Sequence, residues 1–273
     1  MIARTMNRIP EPKQQTLDLG ETALAYDEAG QGRPVVYAHG LSSSRVNEPM
    51  YTLNDWSPIV ASGRRLIRYD ARGHGESTGR PVFTDYIWSH LAGDLLAVLD
   101  RVAGPDPVDV MGASMGCGTL LYAALERPER FGRLVLLIPP TAWDTRVQLA
   151  EANRAIADVV ESRGLEFFLE VTKDVPPPPV HAESPTPLPP PSICERLYPH
   201  IMRGSEASDL PDPEVLRTLT HPTLILTWAG DHGHPVSTAE TLRKLLPNSR
   251  LHISPDYSDV LTWGKRAAAF LGD

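Results

Sequence analysis

A chain of 273 residues with a net charge of −8 and no basic cluster lacks the electrostatic footprint of a nucleic-acid or anionic-membrane binder. Its 41% hydrophobic and 22% charged residues suffice for a full core, and no run approaches the roughly 18 apolar residues of a membrane span. Two cysteines, Cys117 and Cys194, make no disulfide framework, and residues 1–10 hold no apolar leader, so the expectation is a cytoplasmic α/β domain carrying one insertion.

The predicted elements begin with two short strands at 14–19 and 22–27 around Gly20-Glu21, then a buried strand at 34–38 that ends in His39-Gly40-Leu41. A helix end at 56–62 precedes a strand at 65–69, which runs into Asp70-Ala71-Arg72-Gly73-His74-Gly75-Glu76-Ser77. Residues 85–101 read as an amphipathic helix with Trp88, Leu91, Leu95 and Leu99 on one face, Thr84 as its cap and Gly104-Pro105 as its stop. A strand from Val108 and a helix through Glu126 follow, then a strand at 133–138. The rhythm returns after Pro222 with a strand at 223–228, a helix at 238–246 capped by Ser237 or Thr238, a strand at 250–253 and a closing helix at 260–271. Strands alternating with helices give a mostly parallel, doubly wound sheet.

Residues 139–221 differ in composition. Helical patterns at 143–160 and 165–171 are followed by Pro176-Pro177-Pro178-Pro179 and by Pro185, Pro187, Pro189, Pro190 and Pro191. Such a run stays extended and cannot join a sheet; it reads as a rigid crossing within an inserted cap rather than as a ligand for a partner. The division is therefore 1–138 and 222–273 as core, with 139–221 as a helical, proline-rich cap.

Gly112-Ala113-Ser114-Met115-Gly116 sits where the buried strand turns into a helix. A bend that sharp requires small residues at Gly112 and Gly116, forces Ser114 into a strained backbone and lifts its hydroxyl clear of the sheet. The N–H groups and positive dipole end of the following helix point at the same spot.

Together these stretches resemble the α/β-hydrolase superfamily over essentially the whole chain outside the insertion. His39-Gly40 is similar to the family's oxyanion-loop motif, Asp70 to Ser77 to its D-x-R-G-x-G-x-S loop, and Gly112 to Gly116 to its nucleophile elbow; Ala229-Gly230-Asp231-His232-Gly233-His234-Pro235 resembles its acid turn less strictly. The resemblance implies acyl transfer by Ser114, with the backbone N–H groups of Leu41 and Met115 as oxyanion donors and Asp231 as the acid that orients the base. His39 and His74 read as structural members of their loops, not as bases. A serine nucleophile in place of an aspartate argues against epoxide opening and dehalogenation.

The departure lies near the C-terminus. The family places its base after the last strand, usually in a Gly-His pair, but Ser258-Asp259 stand there and no histidine lies beyond His252. Three readings stay open: His234, three residues past Asp231, supplies the base; His232 or His252 does so, although the first points to solvent and the second reads as a bonded core histidine; or no histidine serves Ser114. The expectation adopted is a cofactor-free and metal-free serine hydrolase of a small carboxylic ester, lactone or thioester, with Ser114, His234 and Asp231 as the triad. Its substrate would lie between the strand ends and residues 143–171. The rival keeps the fold without ordinary hydrolysis, as a lyase-like or isomerase-like enzyme or a small-molecule binding protein.

Overall fold

The computed structural model describes residues 13–48, 55–185 and 187–272, so the stretch at 1–10 read for a leader lies outside the described residues. Eight strands form one sheet: β1 (Gln15–Asp18), β2 (Ala23–Ala29), β3 (Pro34–Ala38), β4 (Arg65–Tyr69), β5 (Val108–Ala113), β6 (Phe131–Leu137), β7 (Thr223–Trp228) and β8 (Ser249–Ser254). Their spatial order is β1-β2-β4-β3-β5-β6-β7-β8, antiparallel for β1–β2 and β2–β4 and parallel from there on. β5 is buried at all six positions and runs near the centre, which is why it reads as a continuous apolar run broken only by Asp109. That aspartate is matched by Arg64 and by Arg33, 3.3 Å away, so the buried charge is paired.

Helices cover both faces: α1 (Ser57–Ala61), α2 (Trp88–Val98), α3 (Met115–Glu126), α4 (Arg146–Arg163), α5 (Leu165–Thr172), α6 (Pro179–Ala182), α7 (Tyr198–Glu206), α8 (Pro213–Leu216), α9 (Val236–Leu245), α10 (Tyr257–Val260) and α11 (Trp263–Gly272). The period-two alternation of strand side chains divides the core. Val36, Val110 and Ile225 pack with Leu95 of α2, Leu120 of α3 and Leu242 of α9. Val35, Met111 and Leu226 pack on the other face with Ile59 of α1 and with Trp263 and Phe270 of α11. A third cluster joins Tyr86 to Ala157 of α4 and Ile201 of α7, tying the segment between β6 and β7 to the sheet body.

Four local expectations change. Ile87 takes an extended backbone, so residues 83–86 form a separate 3₁₀ turn and α2 starts at Trp88; its first N–H donates to the Ser208 hydroxyl at 3.1 Å, and Thr84 is not the cap. α9 begins at Val236 with Pro235 before it and no side-chain cap, so neither Ser237 nor Thr238 serves. The closing helix is two: Asp256 accepts the Asp259 N–H at 3.0 Å and nucleates α10, and α11 starts only at Trp263. The proline-rich run is not wholly extended, because Pro179 opens the short turn α6, a position where its missing N–H costs nothing. Past α6 the chain is stitched to the site loops: Ser192 N–H donates to Ser42 C=O at 2.8 Å and Ser192 C=O accepts from Gly75 N–H at 2.7 Å.

Candidate active site

Ser114 joins β5 to α3 with φ 50° and ψ −110°, a left-handed-side conformation that costs a residue with a Cβ of order 1–3 kcal/mol. A Cβ at Gly112 would overlap the Gly116 carbonyl, and one at Gly116 would overlap the Ala38 carbonyl. The two glycines therefore allow the strand, the bend and the helix to sit against β3 at backbone contact. The bend is further fixed by Ser114 N–H donating to Leu137 C=O at 3.0 Å and Cys117 N–H to Ser114 C=O at 2.8 Å.

The turn after β7 brings the other two side chains together. Asp231 Oδ1 accepts the Gly233 N–H at 2.9 Å, an Asx turn that folds the chain back on its own carboxylate. His234 then lies with Nδ1 2.8 Å from Asp231 Oδ2 and Nε2 2.8 Å from Ser114 Oγ. Because a carboxylate only accepts, Nδ1 carries the proton and Nε2 presents its lone pair to the serine hydroxyl. Pro235 follows directly, and Gly233 C=O accepts from Thr141 N–H at 3.0 Å, which anchors the turn to the chain leaving β6. Burial pushes the Asp231 carboxyl up, but the bond and charge of His234, the Gly233 N–H and the Trp228 indole N–H hold it down at about 2.

The other histidines weighed from the sequence fall elsewhere. His232 is exposed. His252 gives Nε2 to Asp259 at 2.5 Å; Asp259 also accepts from Ser254 Oγ at 2.7 Å and from Arg266 at 2.8 Å. The residue standing where the family's usual histidine would be is thus locked in a polar cluster. Ala71 N–H donates to His39 Nε2 at 2.9 Å, so His39 Nδ1–H donates to Gly40 C=O at 2.8 Å. Burial lowers His39 to about 4, which keeps it neutral, and its ring packs edge-on against His74 with centroids 5.3 Å apart. The Asp70–Ser77 loop is therefore a bracket for the His39–Leu41 loop, with Asp70 accepting from Arg45 N–H at 2.7 Å and Glu76 N–H at 3.0 Å.

Gly40 passes close to Ser114, since a Cβ built on it would stand 3.5 Å from Ser114 Cβ. Leu41 follows in that loop, and Met115 is the first residue of α3, whose leading N–H has no acceptor within the helix. A cavity of about 250 Å³ opens beside them. Its walls are Gly40, Leu41, Ser43, Glu48, Leu137, Ile138, Trp228 and Trp263 from the sheet body, and Pro178, His181 and Leu188 from the proline-rich run. None of residues 143–171 borders it, which corrects the expected location of the substrate. Glu48 and His181 carried no sequence signal: neither belongs to a motif, and only the folded loops bring them to Ser114. Among the described residues no cluster of histidine, cysteine and carboxylate side chains could hold a metal ion, and no helix is long and apolar enough to cross a membrane.

The chain matches the family model described as alpha/beta hydrolase fold over residues 33–175. A non-heme haloperoxidase of Rhodococcus erythropolis is 26% identical over 257 residues, which cover 87% of this chain and 89% of that protein. A 2-hydroxymuconate semialdehyde hydrolase of Pseudomonas putida is 28% identical over 258 residues, covering 89% and 86%. Among solved structures, a hydrolase from Pseudomonas aeruginosa PA01 aligns with a TM-score of 0.74 at 22% identity over 96% of this chain and 99% of that one. A thermophilic esterase from Thermogutta terrifontis aligns at 0.72 and 22% identity over 95% and 96%. At such identities the structural likeness speaks for the fold alone.

Proposed function

The chain belongs to the alpha/beta hydrolase fold family, and we propose that within it this protein is a serine hydrolase of a small carboxylic ester, lactone or thioester, acting through an acyl-enzyme on Ser114. The observation that carries the reading is the continuous chain from Ser114 Oγ through His234 to Asp231, with both links at 2.8 Å. It supports a base on the acid's own turn, and it weakens the rival without hydrolysis, whose motive was the lack of a base.

In this mechanism His234 Nε2 takes the Ser114 proton as Oγ attacks the substrate carbonyl. The tetrahedral oxyanion is held by the Leu41 and Met115 N–H groups, each a donor whose loss in comparable sites costs on the order of 3 kcal/mol. His234 then passes its proton to the departing alkoxide or thiolate, leaving Ser114 acylated. Water repeats the sequence in reverse and releases the acid. Asp231 stays ionised throughout, keeping the ring in its tautomer and offsetting the imidazolium charge.

Labelling with a fluorophosphonate probe, with the modified peptide located by mass spectrometry, tests the reading. Rapid modification of Ser114 that is abolished in Ser114→Ala is expected. A Ser114 that stays unmodified while the protein is folded would overturn it.

A further inference from the structure

Glu48 is a carboxylate where the proposed chemistry has no use for one. It borders the Ser114 cavity, is only 5% exposed, and among the described residues its Oε2 has no hydrogen-bond partner. Tyr37, Ser43 and the Gly40 backbone act on the carboxyl, but a buried carboxyl oxygen without its own partner is a cost that structures rarely carry without function. Its position is not loose. Glu48 N–H donates to Ser44 C=O at 3.0 Å, Asn47 N–H to Ser44 Oγ at 3.1 Å, and Ser44 N–H to Asn47 Oδ1 at 2.7 Å. Arg45, three residues earlier in the same loop, is fixed through Asp70 and Asp27. The loop that presents the Leu41 N–H thus also delivers Glu48 rigidly to the cavity.

The remaining walls limit what it can meet. Among the described residues they contain no lysine or arginine, and the other carboxylate, Asp231, is engaged by His234, Gly233 and Trp228. An anionic substituent would face two carboxyl groups and no cation. A carboxyl accepts a hydrogen bond whether or not it is protonated, but donates one only when protonated. Burial pushes Glu48 up to about 7, with Tyr37, Arg68, Ser43 and the Gly40 backbone opposing that rise. The partner it can satisfy in both states is a hydrogen-bond donor. The cavity, about 250 Å³, has room for roughly eight waters at about 30 Å³ each, or an acyl chain of a few carbons among Leu137, Ile138 and the stacked indoles of Trp228 and Trp263.

We propose that Glu48 is a specificity-determining residue which accepts a hydrogen bond from a hydroxyl or amino substituent on a short acyl group bound beside Ser114. The inference rests on the serine-hydrolase reading for its kinetic arm, so a binding arm that needs no turnover accompanies it.

The kinetic arm compares p-nitrophenyl butyrate with p-nitrophenyl 3-hydroxybutyrate and p-nitrophenyl 4-aminobutyrate. For the wild type, kcat/KM for at least one substituted ester should exceed that for butyrate by about tenfold or more, because the unsubstituted chain offers Glu48 no donor. In Glu48→Leu the ratio should fall to within about twofold of unity, whatever happens to the absolute rates. Glu48→Gln, which keeps a carbonyl acceptor but no charge, should retain a hydroxyl preference and lose an amino preference. The binding arm measures butyramide, 3-hydroxybutyramide and 4-aminobutyramide by calorimetry on Ser114→Ala, with and without Glu48→Leu. Identical ratios with Glu and Leu at this position, or no preference in the wild type in either arm, would overturn the proposal. Failure of fluorophosphonate labelling together with a Glu48-dependent preference in binding would instead overturn the hydrolase reading and leave Glu48 as the recognition point.

Discussion

Replacing Asp231 by Asn separates its two duties, because the change keeps shape and volume but removes one acceptor. Three donors converge on this carboxylate: Gly233 N–H on Oδ1, and His234 Nδ1–H and the Trp228 indole on Oδ2. An amide can offer its oxygen to only one side. With the oxygen toward Gly233, the Asx turn survives, but the amide NH₂ faces His234 and drives it to the tautomer with Nε2 protonated, which cannot accept the Ser114 proton. With the oxygen toward His234, the NH₂ opposes the Gly233 N–H and the turn that carries the base loosens. Either route removes the ready base, and turnover of p-nitrophenyl acetate should fall by about 10³–10⁴, or roughly 4–5 kcal/mol at 1.36 kcal/mol per decade. Burial raises the Asp231 carboxyl, but its bonds hold it near 2, so wild-type activity between pH 5 and 9, a range typical of such assays, carries no titration of Asp231. Steady-state kinetics on the folded variant decides the matter. Activity within tenfold of wild type would refute the orienting role, however good the geometry.

The same geometry sets further outcomes. His234→Ala should cut kcat by about 10³ or more while leaving the melting temperature within a few degrees, read by ester hydrolysis and calorimetry. His252→Asn should leave kcat/KM within about threefold, since His252 is bonded to Asp259 and not to Ser114; a loss of a hundredfold would return the base to the C-terminal side. Gly116→Ala forces a methyl into the Ala38 carbonyl and should lower the melting temperature sharply or prevent folding, as seen by circular dichroism. Glu48→Gln should stabilise the fold at alkaline pH. The folded carboxyl keeps its proton up to about 7 against 4.5 when exposed, so wild-type stability falls as pH rises between those values, by up to about 3 kcal/mol, and urea melts of the two proteins should diverge over that window. Its charged or titratable surroundings, Tyr37 and Arg68, are common to both proteins.

The sheet was legible because its signals are local. Val108 to Ala113 is a buried run, broken only by Asp109, that leads into Ser114, and β3, β4, β5 and β7 each run directly into a motif at the same end of the parallel strands. The Asp231 turn was legible for a similar reason, since Asp, Gly and His stand within four residues and an Asx turn can close over them. What escaped depended on contacts far apart in sequence. Trp88 starts α2 because Ser208, 120 residues away, accepts its N–H, and no local pattern around Thr84 reports that. The cavity wall came from Pro178, His181 and Leu188 rather than from the amphipathic stretch 143–171, whose helix α4 packs chiefly against α7 and Tyr86. Glu48 looks like any surface glutamate in a polar loop. Its burial follows from Arg45 being drawn inward by Asp27 and Asp70, an arrangement spread over three separate stretches of chain.

In the proposed mechanism the base shares one turn with the acid. A histidine arriving after β8 would tie the geometry of Ser114 to the packing of β8, α10 and α11, whereas here a single bend of four residues holds both partners. That bend is fixed by the Asx bond, by Pro235 and by the Thr141 N–H to Gly233 C=O, all within or next to β6 and β7. The chain after β8 makes other contacts: Asp259 closes a cluster with His252, Ser254 and Arg266, and Ser254 in turn receives the Trp263 indole N–H at 2.8 Å. That last bond orients Trp263 as a cavity wall stacked on Trp228, with ring centroids 5.2 Å apart. In the proposed mechanism the C-terminal position therefore bears on the pocket's shape through Trp263 and not on the proton. Asp259→Asn should accordingly shift KM across acyl chain lengths while kcat for the smallest ester stays within about threefold, and a matching loss of kcat for every ester would show that the C-terminal side still governs the chemistry.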